Sequence, residues 1–416
     1  MRKLFIVLVC LLTVGFSVFA NGTSEKNSEK GDVKTLEILL SDDTLEGGAM
    51  AAIVEKWNTT HDNFKVKINE IAYGDMMTQI MNRASVNELP ALVKTTEMDA
   101  YADFLLPLDD TSLSQSDFLR DVTRNGKLLA TPINSTAVGM IINKSAFDEA
   151  GVSYPTTEEE RWTWAEFVDA VNTVVEKTDC DYGIVIDHSA QRIQTFLYQF
   201  GMQIFDPNDP SLIAFDSPET KKGLDFLLNL YKEDISPASV GLGTENAQST
   251  FKTGKVAVHM AGNWVLNDYS KNITTFDWTP ALMPYETEKA TCLGGNYLYA
   301  FENTGCEEEA KEFIEWFYEP ENYTLYCSKG NYLPSMTGIN ATYTVKGMDI
   351  FNMELNASCA QPNFDESVKN SHPGETYANA LRDGVDKAIA GELDTQGVID
   401  YFTKQILDNY SNVSVK

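Results

Sequence analysis

The chain is poor in the residues that most catalytic and metal sites require. Its 416 residues include four histidines, His61, His188, His259 and His372, scattered without metal-ligand spacing. That scarcity argues against a bare transition metal as ligand. None of the six cysteines falls in a C-x-x-C pair, which excludes the usual structural zinc motifs. There is no G-x-S-x-G, no H-E-x-x-H and no Ser-His-Asp order, so the common hydrolase signatures are missing. Basic residues are few, with 32 Lys and Arg against 61 Asp and Glu and a net charge of −29. A chain this acidic repels nucleic acid and anionic membrane surfaces. The same surplus gives a well-solvated surface, and by itself it selects no cationic ligand. After residue 19 no stretch is long and apolar enough to span a membrane. No internal repeat, heptad array or Pro/Gly-rich linker divides the chain, so its domains are not strung as beads.

What is present points outward from the cytoplasm. Arg2 and Lys3 precede an apolar run, Leu4 to Phe19, and Val18-Phe19-Ala20 offers small residues at the cleavage positions. Residues 1–20 therefore read as a secretory signal peptide. Cys10 follows Val9 rather than the small residue a lipoprotein cysteine needs, so acylation there is not expected, and membrane association by another route stays open. Cleavage after Ala20 leaves 30 basic against 61 acidic residues, a charge of −31. Residues 21–34 are small and polar and read as a flexible tether. The five cysteines that remain, Cys180, Cys292, Cys306, Cys327 and Cys359, are odd in number, and their spacing leaves one or two disulfides open.

The body of the chain alternates strands and helices. Thr35–Leu40 reads as a strand, a helix ends near Trp57, and Lys65–Ile71 alternates as a second strand. Strand, helix, strand at this spacing argues for a parallel α/β sheet. Asn125-Gly126 marks a turn into a short strand ending at Thr131-Pro132, and an apolar run from Val138 to Ile142 stops at a helix start. Thr163-Trp-Ala-Glu166 is a capping box, and Ser217-Pro-Glu a cap followed by proline. Ala310, Phe313, Ile314 and Phe317 share one helical face, and a last amphipathic segment runs from about Thr376 to Ile389. The length suits two domains.

Several motifs, in order, resemble family 1 extracellular solute-binding proteins, the sugar-binding components of ABC importers. They are Asn125–Lys127 with Thr131-Pro132; Asn143-Lys144 with Phe147 and Ala150-Gly151; Trp162-Thr-Trp-Ala-Glu-Phe; and Phe215-Asp-Ser-Pro-Glu. Then come Phe251-Lys-Thr-Gly-Lys-Val-Ala-Val-His-Met-Ala-Gly-Asn-Trp264, Met283-Pro284 with Gly294-Gly295, and Glu309-Ala-Lys-Glu-Phe with Gly330-Asn-Tyr-Leu-Pro334. One departure is Pro90-Ala91, where the family usually has Pro-Asp. The resemblance implies an α/β, two-lobed periplasmic-binding-protein fold of type II, with interleaved lobes joined by several hinge crossings. The expected lobes are 35–135 with 298–334, and 136–297 with 335–416.

Ligands of open α/β sheets sit outside the carboxyl ends of the strands. Ser41 and Asp42 follow the first strand, where a carboxylate can accept from sugar hydroxyls or simply cap a turn; Asp43 is the weaker candidate. Thr95, Thr96 and Glu97 form a loop that contacts sugar in a maltose-binding relative. Asn134, Ser135 and Thr136 lie at the first crossing, and Gly294, Gly295 and Asn296 at the second. Gln191 and Arg192 sit between Ile186 and the Phe196–Phe200 run, with a surface salt bridge as the competing role for Arg192. The resemblance puts a stacking aromatic at Trp264 and another in the region of Tyr377 and Arg382.

The functional expectation is a periplasmic protein that captures a mono- or oligosaccharide and delivers it to an ABC permease. No enzyme activity, cofactor, metal or nucleic-acid partner is expected, and the protein is taken as a monomer. Two alternatives stand beside it. One is the same fold binding a polyamine or other solute. The other is a secreted glycosidase, which needs two carboxylates flanking one bond.

Overall fold

The computed structural model describes residues 33–416, apart from residues 97, 120–122, 125, 293, 373–374, 376 and 378. The signal peptide, Cys10, most of the tether, Asn125 and Glu97 lie outside the described residues. Nine strands build two principal sheets: β1 (Lys34–Leu40), β2 (Phe64–Glu70), β3 (Leu92–Thr95), β4 (Thr131–Pro132), β5 (Val138–Asn143), β6 (Tyr182–Ile186), β7 (Val256–Gly262), β8 (Trp278–Ala281) and β9 (Tyr297–Ala300).

The first sheet has the order β2-β1-β3-β9-β4. β1 runs parallel to β2 and β3, while β9 is antiparallel to both β3 and β4. The strand-helix-strand pattern thus gives the expected parallel pair, joined through the helix Ala49–Thr60. That helix buries Met50, Ile53, Val54 and Trp57, one face of the 3.6-residue period. Helix Glu307–Phe317 buries Ala310, Phe313, Ile314 and Phe317 in the same core.

The second sheet has the order β8-β5-β7-β6. Every residue of β5 and of β7 is buried, because helices and loops cover both faces. This is why the run Val138–Ile142 reads as continuously apolar rather than alternating, and why β7 is apolar apart from His259. Asn143 ends β5 by capping the next helix through Ala146 N–H (3.1 Å), and Gly151 closes that helix in the left-handed region. The capping box at Thr163 and Glu166 and the Ser217-Pro218 start form as their sequences require.

Three segments pass between the sheets: residues 133–137, 282–296 and 331–347. They meet side by side. Thr136 and Gly294 exchange both backbone hydrogen bonds at 3.0 Å, and Ser135 N–H donates to Leu333 O at 2.7 Å. Asn331, wholly buried, donates to Asn267 Oδ1 at 2.8 Å and accepts from Thr344 N–H at 2.9 Å. Asn267 in turn donates to Gly330 O and Glu46 O, each at 2.8 Å. No described helix is long and apolar enough to cross a membrane, and the five described cysteines are unpaired.

The second crossing is pinned by charge. Arg161 donates to Met283 O at 2.9 Å, to both oxygens of the buried Glu354 at 3.0 Å and to Glu158 at 2.8 Å. The Arg161 guanidinium, with Lys289 and against the opposing effect of burial, holds Glu158 down at about 2. A carboxylate depressed in the folded state stabilises it above its unfolded pKa, and that stability is lost as pH falls through the folded one. Glu158 therefore contributes fully above pH about 4.5, and its contribution fades toward pH 2. Thermal melts between pH 6 and 3 are expected to fall less steeply for Glu158→Gln than for the parent protein. Parallel curves would remove Glu158 from the acid response.

Candidate functional site

A cleft of about 1240 Å³ opens where the carboxyl ends of β1, β3, β6 and β7 converge. Its floor is the paired crossings. Gly294 is there for lack of space: a Cβ would lie 2.5 Å from Thr136 Oγ1 and 2.7 Å from Gln191 Nε2. Gly295 follows at φ 142°, a conformation other residues rarely adopt. Asn296 N–H donates to Asn134 Oδ1 at 2.7 Å. Thr136, Gly295 and Asn296 all border the cleft.

The wall from the first sheet begins as β1 ends. Ser41 and Asp42 border the cleft, with Asp42 in the left-handed region at φ 61°. Burial raises the Asp42 carboxyl, Glu46 adds to the effect, and a hydrogen bond from Ser41 opposes it. Asp43 is a helix cap instead, accepting from Met50 N–H (2.8 Å) and Ala51 N–H (3.0 Å). Of the three loop candidates at the end of β3, two lie among the described residues. Thr95 is buried within the sheet opposite Tyr297, and Thr96 borders the cleft, its hydroxyl 2.8 Å from that of Tyr73. The reason is the two-residue period of strands, which sends neighbours to opposite faces.

The opposite wall carries Trp264, half-buried, just past the end of β7. Its six-membered ring lies against Gly262, where a Cβ would come within 1.6 Å of Cζ3. Arg192 borders the cleft but is itself buried, and it forms a salt bridge that is buried rather than the surface pair expected as its competing role. Its Nε and Nη2 donate to Asp187 Oδ2 at 3.1 and 2.9 Å. Asp187 Oδ1 lies 2.9 Å from His259 Nε2. Burial lifts the Asp187 carboxyl, but His259 and Arg192 outweigh it and hold the group well below the usual carboxylate range. At the far end, Tyr377 borders the cleft while packing against Phe402 and Tyr410 at 5.4 Å.

The described charges of this cleft are largely cancelled internally. Lys252 pairs with Asp268 (2.8 Å), His188 with Asp386 (2.9 Å), Arg382 with Asp383 (2.9 Å) and Lys369 with Glu366 (3.7 Å). Glu46 binds Lys94 at 2.8 Å. Asp365 accepts from Tyr198 Oη (2.8 Å) and from the N–H groups of Ile204 and Phe205. Among the described residues no cluster of three His, Cys, Asp or Glu is arranged to hold a metal ion. The arrangement suits a polar solute with apolar faces: an aromatic ring, short amides and hydroxyls, and a half-buried carboxylate at Asp42.

Sequence reasoning did not single out Asp187, Asp268 or Tyr73. Asp187 follows β6 immediately, so the same strand-end rule that found Asp42 was available for it. Tyr73 is carried by a short turn of helix after β2, for which the residues give no comparable signal.

A family profile described as bacterial extracellular solute-binding protein matches residues 52–350. Among curated proteins, the sn-glycerol-3-phosphate-binding periplasmic protein of Escherichia coli (strain K12) is 26% identical over 230 residues, covering 51% of this chain and 50% of that protein. Its counterpart from Yersinia pestis is 24% identical over 230 residues, covering 52% and 50%. The chain thus spans about half the length of the curated relatives it matches. Among solved structures, the cyclic α-maltosyl-1,6-maltose binding protein from Arthrobacter globiformis superposes with a TM-score of 0.69 at 22% identity, covering 90% of this chain and 98% of that one. The GacH receptor of Streptomyces glaucescens, studied with acarbose, gives 0.73 at 20%, covering 91% and 100%. The ABC substrate-binding protein Lmo0181 from Listeria monocytogenes, in complex with cycloalternan, gives 0.71 at 20%, covering 91% and 99%. At such identities these structures speak for the two-lobed periplasmic-binding fold, and the profile, matching well over half of the residues, places the chain in the bacterial extracellular solute-binding protein family.

Proposed function

We propose that this protein captures a carbohydrate in the cleft and delivers it to an ABC permease, acting outside the cytoplasmic membrane as a monomer and performing no covalent chemistry. The observation that carries this reading is Trp264, half-buried at the wall of a cleft that is also lined by hydroxyls, amides and mostly paired charged groups. A sugar presents C–H faces to such a ring and hydroxyls to such a rim. The saccharides bound by structural neighbours, cyclic α-maltosyl-1,6-maltose and cycloalternan, support the same class. Ligand affinity favours the closed arrangement of the lobes over the open one, and closure presents the loaded protein to the permease. The N-terminal signal accounts for export.

The curated relatives suggest a phosphorylated ligand as a second reading. The charge pairing counts against it. Arg192, Lys252, Lys369, Arg382 and His188 all face carboxylates already, so a phosphate competes for each of them. A polyamine meets the mirror problem, since Asp187, Asp268 and Glu46 are held by cations.

Thermal shifts against mono- and oligosaccharides, glycerol 3-phosphate, spermidine and putrescine test the assignment. A saccharide at a hundredfold excess over its Kd is expected to stabilise the protein by about 2.7 kcal/mol. Trp264→Ala is expected to abolish the shift. Stabilisation by glycerol 3-phosphate or a polyamine alone would replace the ligand class.

Asp42→Asn separates function from stability. The amide keeps the left-handed backbone accessible but loses the charged acceptor, so affinity should fall roughly 10-fold or more. Ligand-free melting temperature should hold or rise, because a half-buried carboxylate is gone. Unchanged affinity in a titration would take Asp42 out of the site.

A further inference from the structure

Trp264 sits on the short turn Asn263–Val265 that links β7 to the helix Leu266–Asn272. What lies against the ring is Arg192, whose Cζ is 4.4 Å from the ring centroid. A guanidinium stacks well on indole because it is flat and weakly hydrated. Its own freedom is spent elsewhere. Nε and Nη2 both go to Asp187, and Nη1 goes to Gln191 Oε1. Its side chain is 9% exposed, which leaves little of it to meet a ligand.

The chain of contacts continues into the core. Asp187 can only accept, so His259 presents Nε2–H to it across 2.9 Å. In a neutral ring that leaves Nδ1 to accept from the Tyr269 hydroxyl, 2.6 Å away. His259 and Tyr269 are both fully buried. Tyr269 is clamped by Phe251, stacked at 5.4 Å, and by Trp278, edge-on at 5.7 Å. One end of the chain is therefore anchored in the core, and the other ends on the ring in the cleft.

We propose that Tyr269, His259, Asp187 and Arg192 form a positioning chain that sets the plane of Trp264, so that Arg192 serves the ligand through the ring rather than by touching it. The proposal rests on the cleft being the ligand site, and it assigns a role to three residues outside the sequence-predicted set. A ring fixed before the ligand arrives loses little freedom on binding. The role also accounts for a buried arginine, with three of its five N–H groups engaged by Asp187 and Gln191, where a ligand donor was expected.

The decisive experiment needs no ligand. The protein is labelled with 5-fluorotryptophan, whose six 19F resonances report its six tryptophans, and Trp264→Phe assigns one of them. Arg192→Lys keeps an ion pair with Asp187 but removes the flat stacking surface. Asp187→Asn keeps the shape but loosens Arg192. Each is expected to shift or broaden the Trp264 resonance while Trp57, Trp162, Trp164 and Trp316 stay in place. A Trp264 resonance unmoved in Arg192→Lys would overturn the proposal. A second arm uses maltotetraose as probe. Arg192→Lys should weaken its binding about tenfold in the parent protein and have no further effect in the Trp264→Phe background, where the ring it serves is altered. An equal loss in both backgrounds would mean direct contact between Arg192 and the sugar, against the proposal. If maltotetraose does not bind the parent protein, the carbohydrate reading loses support, and the fluorine arm still decides the positioning chain by itself.

Discussion

The two hydrogen bonds between Thr136 and Gly294 are the contact on which the architecture turns. Two sheets, each with its own apolar core, are otherwise free to find many relative arrangements. Joining the first and second crossings backbone to backbone, with Leu333 of the third beside Ser135, gathers all three at one line. That line is also the cleft floor. The glycine that permits the close approach and the polar residues that border the cleft are thus neighbours in the chain, and any bending about the line alters the space above it. Asn267 and Asn331 extend the same logic, tying the rim at Glu46 to the third crossing through buried amides. Buried polar groups of this kind specify one arrangement because each alternative leaves donors unsatisfied.

Much of this was readable before any coordinates. The capping residues Asn143, Thr163 and Ser217 act locally, so their helices start where the sequence says. The apolar face of Ala310–Phe317 and the run Val138–Ile142 depend only on periodicity and burial. The site was legible in part. Ser41, Asp42, Thr136, Arg192, Trp264, Gly295, Asn296 and Tyr377 all border the cleft.

What stayed hidden is what depends on distant partners. Whether Asp43 faces a ligand or caps a helix turns on the N–H groups of Met50 and Ala51, and whether Thr95 or Thr96 is outward turns on register. Arg192 could not be told from a ligand donor without Asp187, which is five residues away in sequence but brought back by a loop after β6. His259 was in plain view within the motif that ends at Trp264, yet nothing local ties a strand histidine to an indole five residues on. The link passes through two other side chains from a different strand and helix.

The internal cancellation of charge has a kinetic meaning. The protein as a whole carries a large negative charge, yet the lysines and arginines lining its cleft, and most of the carboxylates, are already committed to ion pairs. A neutral solute arriving there is neither steered nor repelled over any distance, since long-range steering requires a net field acting on a charged partner. Its capture rate is then set by diffusion and by the opening of the lobes, and it stays nearly constant as external salt rises or falls. On the proposed reading of an exported carbohydrate-binding protein, uptake would then follow solute concentration with little dependence on ionic conditions.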